Sequence, residues 1–70
     1  MNYINNLRWA ITVSYGDGYY EPQEIYIRGL FENLDDAQKA LPLFKKSYPG
    51  SEVEITTKEA AEIGIALSFN

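Results

Sequence analysis

Tyrosine is the residue type most able to do chemistry in this chain, and the chemistry it suggests is recognition. Six tyrosines occur in 70 residues, and Tyr15, Tyr19 and Tyr20 gather around the segment Gly16-Asp17-Gly18 and the following Glu21-Pro22. A tyrosine presents a large apolar ring with a polar tip and only two torsions to immobilise, so it anchors interfaces at low entropic cost. Loops at the tip of a rigid hairpin are where such residues tend to bind. Tyrosine is also a common strand former, and that reading competes for Tyr15 and Tyr26.

Carboxylates form the second group. Asp17, Glu21 and Glu24 lie near the tyrosines, Glu32, Asp35 and Asp36 precede or open a helix, and Glu52, Glu54, Glu59 and Glu62 follow. Ten acidic residues against six basic ones give a net charge of -4. An acidic row of this kind can imitate the phosphates of a nucleic acid and steer the domain towards a basic groove. Ordinary solvation and helix capping account for many of the same residues, among them Asp35, Asp36 and Glu59.

Other chemistries find little support. With no histidine and no cysteine, the chain has no thiolate or imidazole metal ligand, no disulfide and no Ser-His or Cys-His relay. Glu52 with Glu54 is the one pair that can be imagined as acid and base or as a magnesium site, yet exposed strand carboxylates normally solubilise. Gly16-Asp17-Gly18 opens like a dinucleotide fingerprint, but Glu21 stands where the third glycine belongs and a strand follows instead of a helix. Asp17 also lacks the alternating carboxylates of a calcium loop. The expectation is no enzyme activity, no cofactor and no metal, with a small hydrolase as a remote alternative. Trp9, Tyr15 and Tyr26 invite comparison with base-stacking sheets, but six dispersed cations within a net acidic chain oppose direct binding of nucleic acid.

The elements that must position these residues follow from periodicity. Leu7 to Tyr15 alternates, with Leu7, Trp9, Ile11, Val13 and Tyr15 on one face and Arg8, Ala10, Thr12 and Ser14 on the other, which predicts a strand. After the glycine loop the pattern resumes from Glu24 to Arg28 as the second arm of a hairpin, and Gly29 marks a bend or bulge. Asn33 or Asp35 can cap a helix whose stripe is Leu34, Ala37, Leu41, Phe44 and Tyr48, with Lys45 and Lys46 complementing its C-terminal dipole. Pro42 within it predicts a kink costing about 3 kcal/mol. Tyr48-Pro49-Gly50 closes the helix.

Ser51 to Thr57 alternates again as a third strand with Val53 and Ile55 inward and Glu52, Glu54 and Thr56 outward. Thr56 to Glu59 matches a capping box that opens a short helix through Glu62. Gly64 can end that helix, after which Ile65, Leu67 and Phe69 read as a fourth strand. A helix continuing through Leu67 is the competing reading.

The expected fold is therefore α+β: a single domain over residues 1–70, with a four-stranded, mainly antiparallel sheet. One main and one short helix pack on one face, in the order β-β-α-β-α-β. No apolar run approaches a membrane span and no basic, apolar leader opens the chain, so the expectation is a complete cytoplasmic product, in a host cytoplasm if phage-encoded.

In size, acidity and lack of catalytic residues the chain is similar to small phage-encoded inhibitors of bacterial defence systems, including anti-CRISPR and anti-restriction proteins. The similarity is one of type and shares no motif, so it carries over no functional residue. It implies a non-enzymatic protein-binding module that occludes a basic, nucleic-acid-binding partner without itself touching nucleic acid or membrane. Tyr15, Asp17, Tyr19, Tyr20, Glu21, Glu52 and Glu54 form the expected partner-binding surface. The alternative is a homo-oligomeric structural or regulatory module, a possible homodimer that pairs an exposed edge strand, Leu7 to Tyr15 or Ile65 to Phe69, across a two-fold axis.

Overall fold

A computed structural model describes residues 7–16 and 18–68. The chain runs β1 (Trp9–Tyr15), β2 (Glu24–Phe31), α1 (Leu34–Ser47), β3 (Glu52–Thr57) and α2 (Lys58–Ser68). The three strands form one antiparallel sheet in the order β2-β1-β3. The fold class is α+β as expected, but with three strands, because the residues expected as a fourth are helical as far as Ser68. Phe69 lies outside the described residues.

The register sorts the side chains into two faces. Val13 stands opposite Val53 and Tyr26, and Ile11 opposite Ile55 and Gly29. On this face Ile11, Val13 and Val53 form the core, against which Phe31, Ala40, Leu41, Phe44 and Tyr48 pack, so α1 covers it. Ala37, on the same helical stripe, is fully buried. Leu34, at the first turn, is 37% exposed and only grazes the core. Gly29 allows the approach, since a Cβ there would stand 2.9 Å from the Phe31 ring and 3.0 Å from the Phe44 ring.

The second face carries the small residues of β1, and it is buried too: Ala10 is fully enclosed and Thr12 nearly so. The cover is α2, whose Ala61 is buried and whose Gly64 would place a Cβ 3.9 Å from Ile25 Cδ1, with Ile25 paired to Ser14 on this face. The expectation that both helices share one face is thus corrected. Small side chains on a strand are not a weak solvent face here; they admit a helix at close range.

A β-bulge reconciles β2 with both layers. Ile11 pairs with Gly29 and Thr12 with Ile27, leaving Arg28 as the extra residue. Before the bulge Ile25 and Ile27 face α2, and after it Phe31 faces α1, because one inserted residue reverses which parity points inward. Leu7 is half-buried at the sheet's margin, and Arg8 continues the ladder by donating its N–H to Phe31 and accepting from Lys58.

Helix termini explain the remaining departures. α1 runs unbroken through Pro42, whose side lies exposed, so the missing N–H interrupts the helix's solvent side and leaves the core stripe intact. Its N-cap is Asn33, with no side-chain bond to the backbone; the Asn33 amide instead reaches Asp36 at 3.4 Å. The second helix is capped by Thr57 and not by Thr56: Ala60 donates its N–H to Thr57 Oγ1 at 3.1 Å. Thr56 remains in the ladder opposite Ala10. Gly64 does not stop α2, because helical spacing sets Ala61, Gly64 and Ile65 along one side against the sheet. Among the described residues no helix is long and apolar enough to cross a membrane.

Candidate functional site

The loop between β1 and β2 spans residues 16–23 and stands at one end of the sheet. Gly16 sets its base: φ is +89°, and a Cβ there would collide with the Pro22 carbonyl oxygen, so only glycine lets the two arms of the loop close. Farther out, Gly18 donates its N–H to the Glu21 carbonyl at 3.0 Å, tying the tip into a turn. This frame presents Tyr19 and Tyr20, which are 92% and 95% exposed. Glu21 is exposed beside them, and Asp17 lies outside the described residues.

Tyr15 does not join them. It shares the α1 face with Val13, packs on the core and meets the Tyr26 ring edge-on at a centroid distance of 5.8 Å. It is partly buried there, a placement that its β-propensity allowed. Glu52 and Glu54 sit on the opposite face, paired with Ser14 and Thr12, and both are exposed. They are two residues apart on an edge strand, so their carboxylates repeat at about 7 Å.

An open groove of about 440 Å³ joins the acidic row to the base of the tyrosine loop. Ser14 and Gly16 line it from β1, and Gly50, Ser51 and Glu52 from the entry to β3. Its polar atoms are two hydroxyls, a carboxylate and backbone groups, an acceptor-rich set suited to a cationic or hydrogen-bond-donating side chain. Among the described residues no group of three or more acidic side chains is placed to hold a metal ion.

A second cluster was not singled out from the sequence. On β2, the outer strand of the described sheet, Tyr26 donates its hydroxyl to Glu24 Oε2 at 3.1 Å, and the Arg28 guanidinium lies 4.8 Å from the centre of the Tyr26 ring. Hydrogen bonding to Glu24, reinforced by its negative charge, raises the Tyr26 pKa above the ordinary phenol value. The signal for this cluster lay in the alternation Glu24, Tyr26, Arg28, which puts opposite charges either side of a ring on one strand face. Comparison with protein-family models, with curated proteins and with solved structures finds no match.

Proposed function

We propose that this protein is a non-enzymatic binding module that docks on a basic, nucleic-acid-handling protein and occludes it, in the manner of a small phage-type inhibitor of a defence nuclease. The observation that carries the reading is the pair Tyr19 and Tyr20, held almost fully exposed on a glycine-closed turn at the end of the sheet. Two rings in that position are the anchors of an interface more readily than parts of a core. The Glu52 and Glu54 row and the groove beside it supply the complement to a basic surface, and a net charge of -4 favours approach to it.

The supporting chemistry is recognition throughout. The groove is open and polar and holds neither histidine nor cysteine, so it is suited to receiving a partner's lysine or arginine. The test is capture of partners from a bacterial lysate by the wild-type chain and by two variants, Tyr19→Ala/Tyr20→Ala and Glu52→Lys/Glu54→Lys, with duplex DNA as competitor. A basic protein retained by the wild type, displaced by DNA and lost from both variants supports occlusion. Retention of the same proteins by all three chains refutes it.

A further inference from the structure

Among the described residues, β2 and β3 have no further strand beside them, and the charges on these two edges differ in kind. The β3 edge carries Glu52 and Glu54 with no cation on the strand. Antiparallel pairing of β3 with its own copy about Glu54 sets Glu54 against Glu54, and like charges directly opposite destabilise a sheet; pairing about Ile55 avoids that clash by setting Glu54 against Thr56, but brings no opposite charges together. The β2 edge is self-complementary. Glu24, Tyr26 and Arg28 alternate along it on one face, Ile25 and Ile27 on the other.

Turning a second copy of β2 about a two-fold axis at Tyr26 brings Glu24 opposite Arg28, Tyr26 opposite Tyr26 and Ile25 opposite Ile27. We infer that the protein self-associates as an antiparallel homodimer through β2 in this register, giving a six-stranded sheet with β3 at both outer edges. β1, the strand expected at an edge, is central and takes no part.

Several features of the edge fit this partner. Arg28 is the bulge residue, and bulges re-aim side chains; its guanidinium lies over the Tyr26 ring, which keeps the cation on the strand face that carries Glu24. Glu24 and Arg28 are both exposed, while Ile25 and Ile27 are half-buried apolar residues at the rim that a second strand would cover. Strand addition satisfies the outward backbone groups that an edge leaves open. The paired charges fix the register more than they add affinity, since exposed ion pairs contribute little each. The arrangement is independent of the tyrosine loop, so the dimer and the docking function stand or fall separately.

The experiment is sedimentation equilibrium of the purified full chain, with no partner present, over a wide concentration range. The expected result is a species at twice the 8.0 kDa of the chain that dissociates on dilution. Glu24→Arg and Arg28→Glu, each replacing two attractive contacts with two repulsive ones, should weaken association about tenfold or more, and the double variant Glu24→Arg/Arg28→Glu should restore it. Tyr26→Cys supplies a second measurement, because residues directly opposite in an antiparallel pair lie within disulfide reach; oxidation should give a covalent dimer. A wild type that stays monomeric at every concentration, or a charge-swapped double variant no better than the singles, overturns the inference.

Discussion

Tyr26 keeps its hydroxyl on Glu24 at 3.1 Å, and this bond favours the neutral phenol because the carboxylate can accept only while the proton is present. The pKa is therefore raised, first by the hydrogen bond and then by the charge of Glu24. A group whose folded pKa lies above its unfolded value contributes stability that is complete below the unfolded value, about 10 for tyrosine, and lost as pH rises through the folded one. Spectrophotometric titration should show Tyr26 ionising above the ordinary phenol value, and Glu24→Gln should bring it back towards that value. An unchanged titration in that variant would deny the bond. Gly16 is the second residue with a sharp consequence. With φ at +89° and the Pro22 carbonyl in the way of any Cβ, Gly16→Ala should destabilise the domain by about 2 kcal/mol, measured by urea denaturation. A wild-type midpoint would show that the loop closes in another way.

At the scale of elements, α2 is the segment that departs most from expectation, and the reason is physical. Ile65, Leu67 and Phe69 alternate like a strand, but Ile65 and Leu67 continue a helix that begins at Lys58, and Ala61 with Gly64 gives that helix a side small enough to seat on Ala10 and Thr12 of β1. Tertiary packing decided between two local patterns. Gly64→Ala tests it directly: the added methyl meets only Ile25 Cδ1 at 3.9 Å, an ordinary contact, so the gain in helix propensity should stabilise the protein by up to about 1 kcal/mol. Destabilisation would place Gly64 at a helix end. Thr57→Ala should cost about 1 kcal/mol by removing the cap on Ala60, whereas Thr56→Ala leaves the cap in place. The hairpin, α1 and β3 were legible in the alternation and in the Leu41, Phe44 and Tyr48 stripe. Gly29 marked the bulge, which the register places at Arg28 beside it, but the division of the helices between two faces was not legible, because local alternation does not say which face each helix covers.

For the molecule as a whole, the sheet sorts the acidic and aromatic residues by place. Of the surface expected from the sequence, Tyr19, Tyr20, Glu21, Glu52 and Glu54 are exposed, with the groove linking Glu52 to the loop base. Tyr15 is partly buried against the core of the α1 face. Burial alone separates these tyrosines, since residue type and neighbours are similar for all three. A docking surface of this composition makes binding depend on screened charge, so its affinity should fall as salt rises beyond the point where the Debye length is about 10 Å. The most direct measurement is the lysate capture with wild-type, Tyr19→Ala/Tyr20→Ala and Glu52→Lys/Glu54→Lys chains at low and high salt, each first shown by circular dichroism to fold alike. A basic partner held by the wild type at low salt, released at high salt and by duplex DNA, and absent from both variants is the predicted result. The same partner held equally by all three chains, indifferent to salt and DNA, would contradict the account.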